Sequence, residues 1–395
     1  MRLFLSFARR ALRFAPTSVS GLRPVLALVL AAALLAAPGA RAQSGDIYTV
    51  TGVEVDVRAD SAAQARDQAL AEGHRKAFGR LVARLVPQGA QAEAPDLSYD
   101  ELGGLVRDFE VDDERSSAVR YLATLTFRFQ PQAVRAALRR NEVPFAETQS
   151  KPVVVLPLFG AADDATLWDG PNPWMTAWSA RNADGGLVPL EVPLGDLADI
   201  RAISAQAALN QSEDRLSRIA GRYGAEDVLI TQAIPGGDPR DARSVQVITR
   251  RVTPGGGTQT WIDSIRRAEG EDAAALYARA AAQVAQQVEN TWKLANVLRF
   301  ESESGMTLAV PLDDLKHWAE VRRRLQTVPL IDSSQVRSLR RGQTTVDIVY
   351  FGDRRQLRRA LAQSDLDLRE AASDGAETAP DPAWTLHLAE DGVGN

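Results

Sequence analysis

Three carboxylates and three indoles crowd one stretch of this chain: Asp163, Asp164 and Asp169 stand beside Trp168, Trp174 and Trp178. Carboxylates flanking aromatic platforms suit glycan chemistry, one as acid and another as nucleophile or base. The same stretch also reads as an acidic loop whose tryptophans plug a domain interface. Between those readings lies a partner or ligand groove, because tryptophan is a preferred interface anchor. Clustered aspartates could hold calcium, but EF-hand spacing is missing.

Other chemistry is sparse. His74, His317 and His387 are the only histidines, and none sits in a metal-ligand spacing such as HExxH. Each is expected at a surface or boundary. The glycine clusters "PGGGTQT" and "GRYGAED" lack the lysine and spacing of a phosphate loop and read as turns. Neither G-x-S-x-G nor S-x-x-K marks a nucleophile. There is no cysteine, so disulfide, thiol and zinc–thiolate chemistry are excluded. No cofactor or metal is expected.

The acidic, tryptophan-rich stretch follows "KPVVVLPLFG" (151–160), the most strand-like run in the chain. Around it the periodicities predict an α+β multidomain protein, built of small mixed-sheet modules with helices on one face. Residues 43–145 read as strand, helix, strand, strand, helix. In their helix Ala62, Ala65, Ala69, Gly73, Ala77, Leu81 and Leu85 form a small-residue stripe, suited to close approach to a sheet. Residues 141–150 are polar and read as a linker. Residues 150–296 form a second α/β module, with a hairpin across "PGGG" and a long helix carrying Leu276, Ala280, Val284 and Val288. Residues 300–372 run β-α-β-β-α-β, the ferredoxin-like order, with Leu315, Trp318 and Leu325 predicted to face inward. Residues 373–395 read as a flexible tail around the short apolar "WTLHL".

The amino terminus reads as an export signal. A basic region (Arg9, Arg10, Arg13, Arg23) precedes an apolar run from Val25 to Ala37, and Ala40-Arg41-Ala42 supplies a small-x-small site with cleavage expected after Ala42. That run is short for a membrane span, which needs about 20 residues. The full chain carries 46 basic and 51 acidic side chains, and removing 1–42 takes away six arginines and no acid. The remainder is acidic and ill suited to nucleic acid. One locally basic region, with Arg322 to Arg324, Arg340, Arg341, Arg354, Arg355, Arg358 and Arg359, reads as a solvated face or a contact for acidic lipid, cell-wall polymer or protein.

Taken together, "GVEVDVRADSAAQARDQALAEGHRKAFGRLVARL", "VLPLF", "LWDGPNPW" and "IAGRYGAEDVLI" resemble the bacterial exported family called domain of unknown function 2066. The first module is similar to the amino-terminal domain of a flagellar-ring accessory protein. The second is similar to the amino-terminal domain of TolB, although no propeller follows it. The resemblance implies a periplasmic accessory protein of the cell envelope that binds an envelope protein or cell-wall component without chemistry. The alternative is a glycan-active hydrolase using the carboxylates of the Asp163–Asp169 loop.

Overall fold

Small side chains draw the first helix onto its sheet, as its stripe requires. A computed structural model describes residues 47–161, 164–170, 172–181, 185–297, 303–340, 342–370 and 383–389. The segment read as an export signal, Asp163 and Arg341 lie outside them. The first sheet has strands β1 (Thr49–Arg58), β2 (Val106–Ser116) and β3 (Arg120–Phe129), antiparallel in the order β1-β3-β2. Helix α1 (Ala62–Leu85) starts at Ser61, whose hydroxyl accepts from Gln64 N at 3.2 Å. Its residues Ala65, Ala69, Gly73, Ala77 and Leu81 are buried against Tyr121, Ala123, Leu125, Phe127 and Phe129 of β3. A Cβ at Gly73 would stand 2.6 Å from Leu125 Cδ1.

Three expectations change here. The first sheet is purely antiparallel rather than mixed. Helix α2 (Tyr99–Leu105) occupies part of what reads as loop, held by a capping box in which Glu101 accepts from Ser98 N at 2.9 Å. His74 is buried rather than peripheral: it follows Gly73 on the inner face, and its Nδ1 lies 2.7 Å from Leu70 O.

After helix α3 (Pro131–Arg140), the stretch expected to be a linker is packed inside. Val143, Phe145, Ala146, Glu147 and Thr148 are all buried. Glu147, the acid that makes this stretch look solvent-facing, is neutralised by a bidentate Arg135 (Nε to Oε1 2.9 Å, Nη2 to Oε2 2.7 Å) and accepts from Tyr48 Oη.

The second sheet contains β4 (Val153–Phe159), β5 (Leu190–Glu191), β6 (Asp227–Pro235), β7 (Ser244–Val252) and β8 (Thr258–Arg266), in the order β5-β4-β6-β7-β8. The first three of that order are parallel and the last two antiparallel. Every residue of β4 is buried, so both faces of the sheet must be covered. One face carries α4 (Pro173–Ser179) and, further along the chain, the long helix Ala273–Ala295; the other carries α5 (Leu197–Ala202), α6 (Ala205–Leu209) and α7 (Glu213–Arg222). Helices on one face is therefore corrected for this module. The long helix is α8, and its Leu276, Ala280, Val284 and Val288 are all buried.

The third sheet holds β9 (Glu303–Pro311), β10 (Ile331–Arg340), β11 (Gln343–Phe351), β12 (Leu366–Glu370) and β13 (Trp384–Leu388), in the order β10-β11-β9-β13-β12. Helices α9 (Leu315–Leu325) and α10 (Arg354–Gln363) complete the β-α-β-β-α-β run. The expected tail is not all tail. Residues 384–388 enter the sheet as β13, parallel to β9 and antiparallel to β12, where Leu386 is fully buried and Arg354 stacks on Trp384 at 4.8 Å. Leu315 also departs from expectation: it is 72% exposed as the first residue of α9, and Val321 and Leu325 carry the buried face. One hydrophobic cluster runs through all three sheets, within a single compact unit spanning 45–395. The chain is thus a multidomain mixed α+β protein in its sheets, joined by a shared core.

Candidate functional site

Parallel strands offer binding crevices where successive crossovers leave on opposite faces, beyond the strands' carboxyl ends. The second sheet meets that condition between β4 and β5. From β4 the chain goes to α4 on one face; from β5 it goes to α5 through α7 on the other. A cavity of about 610 Å³ opens at this point, lined from the first connection by Trp168, Asn172, Met175 and Trp178 and from the second by Val192 and Leu194.

Local hydrogen bonds hold the first wall. Thr166 bridges back to Phe159 through paired main-chain bonds of 2.9 Å. Asn172 caps α4 by accepting from Met175 N at 2.9 Å, and its Nδ2 donates to Pro157 O at 2.9 Å. Pro173 then takes the first helical position, where no N–H is needed. Trp168 donates its indole N–H to Ile203 O at 2.7 Å, tying the two walls together.

A carboxylate knot holds the second wall. Asp199, fully buried, accepts from Gly195 N (3.0 Å), Tyr223 Oη (2.9 Å) and Arg222 Nε (2.7 Å). Burial, then the bond to Asp199, pushes the Tyr223 hydroxyl above its ordinary range. Gly195 has φ +74°, and a Cβ there would press on Trp168 at 3.2 Å, so the close approach of the walls requires glycine.

The residues singled out from sequence separate into three groups. Trp174 is fully buried and donates to Thr231 O at 3.0 Å, so it belongs to the core rather than to a surface. Trp168, half-buried, lines the crevice; Trp178 borders it from the core, where it is as buried as Trp174. Trp178 packs edge-on to Trp174 at 5.9 Å, with the Arg181 guanidinium 5.8 Å from its ring; its buried indole N–H meets no acceptor among the described residues. Asp164 and Asp169 are exposed, and no carboxylate lines the crevice among the described residues. Asp163 lies outside those residues. Sequence reasoning missed the second wall: Leu194, 90% exposed, lines the crevice, and the α5 residues that follow it, Leu197 and Ile200, are 71% and 45% exposed. "NP" at 172–173 was the available signal for the cap that aims Met175 and Trp178.

Elsewhere, a cavity of about 440 Å³ lies beside Asp227, Arg251 and Arg359. Its charges are satisfied internally, by the Arg251–Asp227 pair at 2.5 Å and by Arg359 donating to Ala295 O at 2.6 Å. Among the described residues no group of three or more histidines and acids is placed to hold a metal ion. No described helix is long and apolar enough to cross a membrane.

No protein-family model matches the chain, and no curated protein matches it. Among solved structures, it aligns to a formyltetrahydrofolate deformylase from Burkholderia mallei at 12% identity, covering 62% of this chain and 95% of that one, with a TM-score of 0.19. A formyltetrahydrofolate deformylase from Pseudomonas putida aligns at 10% identity over 62% and 92%, with a TM-score of 0.17. Scores this low transfer neither fold nor activity.

Proposed function

We propose that this chain is a periplasmic accessory factor of the bacterial cell envelope, binding an apolar segment of an envelope partner in the β4–β5 crevice without chemistry. The observation that carries this reading is a cavity in which Trp168, Met175 and the exposed Leu194 stand among the polar Asn172, Thr176 and Arg181, followed in the chain by the exposed Leu197 and Ile200 of α5. Clustered exposed apolar side chains beside a concave site are a mark of interaction surfaces. The amino-terminal segment read as an export signal, and the resemblance to an exported envelope family, favour that compartment.

A photo-crosslinking residue placed at Leu197 in cells tests this. We expect an envelope adduct that is absent when the same residue replaces Glu213 on α7, and that disappears when Met175→Trp fills the crevice. Equal adducts at both positions, or adducts indifferent to Met175→Trp, would remove the reading. The hydrolase alternative is checked in parallel: Asp164→Asn and Asp169→Asn should leave cell-wall and polysaccharide turnover unchanged.

A further inference from the structure

The first sheet has two edges, and the chain treats them differently. Along β1, helix α1 sends Lys76, Arg80 and Arg84, at four-residue spacing, over the strand's main-chain carbonyls. Lys76 Nζ donates to Glu54 O (3.0 Å), Arg80 Nη1 to Gly52 O (2.9 Å), and Arg84 Nη1 to Ile47 O (2.6 Å) and Thr49 O (2.8 Å). A strand arriving there would have to displace three cations. That edge is closed.

The edge at β2 is open. Every residue of β2 except Val106 and Val111 is exposed. Among the described residues, the one side chain bonded to a β2 main-chain group is Gln130, whose Nε2 reaches Val106 O at 3.3 Å. Unpaired N–H and C=O groups along an edge are a template for a further strand.

Side chains on β2 specify which strand. Phe109 and Val111 pair with Phe127 and Leu125, on the face that α1 covers. Phe109 (39% exposed) and Tyr99 (48% exposed) surround His74 at ring distances of 5.7 and 5.1 Å, so this aromatic cluster is unfinished at the edge. The opposite face carries Asp108, Glu110 and Asp112. Over its length β2 holds five acids (Asp108, Glu110, Asp112, Asp113, Glu114) against Arg107 and Arg115. Arg128 satisfies Asp108 and Glu110 (2.6 and 2.9 Å), whereas Asp112 and Asp113 have no ion-pair partner among the described residues. A second copy pairing β2 to β2 would set acids against acids, which is destabilising.

We propose that β2 is a docking edge for an extended, basic polypeptide segment in which lysine or arginine alternates with apolar residues. A basic position lies over Asp112, on the face of Asp108 and Glu110, and the apolar positions complete the Phe109–Tyr99 cluster; the regular ladder ends at the bulge between Asp112 and Arg115, which leaves Asp113 to add to the local negative charge. This site is independent of the crevice on the second sheet.

Labelled nine-residue peptides test the edge by fluorescence anisotropy against the chain from residue 43 onward. A lysine–valine alternation should bind, weakening about tenfold as salt rises past the point where the Debye length falls to roughly 5 Å. Asp112→Lys combined with Asp113→Asn, which suits the left-handed backbone at 113, should weaken it at least about tenfold while circular dichroism and the melting midpoint stay unchanged. Hydrogen exchange should slow at residues 107–115 when the peptide is bound. No binding of the lysine–valine peptide would mean that the acids only repel unwanted strands, and would overturn the proposal. Equal binding of a glutamate–valine or a lysine–glycine peptide would overturn it as well, as would protection confined to another surface.

Discussion

Two glycines on α1 show how far single residues decide this structure. Gly73 faces Leu125, Phe127 and Val55, and a Cβ there would meet them at 2.6, 3.4 and 3.5 Å. Gly79 lies on the exposed side with nothing within 4 Å. Glycine costs a helix interior about 1 kcal/mol relative to alanine, and overpacking a core costs about 1–3 kcal/mol. Gly79→Ala should therefore stabilise the chain by about 0.5–1 kcal/mol, while Gly73→Ala should destabilise it by about 1 kcal/mol once the helix gain is subtracted. Urea midpoints of the two variants check the opposite signs. The small-residue stripe made this contact legible in the sequence. The burial of His74 was not, because a polar ring on the inner face becomes acceptable only through its hydrogen bond to Leu70 O and the aromatic rings around it. Trp174 was likewise legible as an anchor but not as a core residue, since its N–H finds Thr231 O on a distant strand.

At the scale of elements, long periodic runs were legible and insertions were not. Helix α8 and strands β4 and β6 follow from local pattern. Strand β13 does not, because five residues after a polar stretch acquire a strand's geometry only by entering between β9 and β12. Its His387 stands opposite Asp367 of β12. Burial, followed by the charge of Arg369, holds this imidazole below its ordinary pKa of 6.5, with Asp367 opposing and His317 of α9 adding to the depression. A depressed folded-state pKa means that the unfolded chain binds the proton more tightly. The group's contribution is therefore fully present above pH 6.5 and is lost as pH falls through the folded value. We expect β12 and β13 amides to exchange faster relative to the rest of the chain at pH 5.5 than at pH 7.5, after correction for intrinsic rates. His387→Gln should remove most of that difference. An unchanged difference in the variant would place the pH sensitivity elsewhere.

At the scale of the molecule, the joints between modules carry polar groups that a sequence reading assigns to solvent. Helix α8 bridges them: Glu289 accepts from Leu187 N and Val188 N (3.1 and 2.9 Å), Trp292 donates to Thr148 O (2.6 Å), and Lys293 donates to Ala83 O (2.5 Å) at the end of α1. Burial pushes the Glu289 carboxyl up and the Lys293 ammonium down, the signature of charges drawn into a core rather than displayed. Glu147 sits at the same joint, with its side chain wholly inaccessible and Arg135 only a fifth exposed. Removing one partner of a buried pair strands the other, at about 3–5 kcal/mol. Glu147→Ala should fall near 3 kcal/mol, the lower end, because Arg135 keeps some water. The distribution of that loss distinguishes two architectures. If 47–389 unfolds as one unit through its shared core, the signal of the seven tryptophans and the far-ultraviolet signal shift to lower urea together. If the first sheet unfolds by itself, most of the tryptophan signal keeps its midpoint, because no tryptophan lies in that sheet or its helices and Trp292 alone is bonded across the joint, to Thr148 O. The continuous cluster from Val53 through Val155 to Val346 argues for the concerted shift.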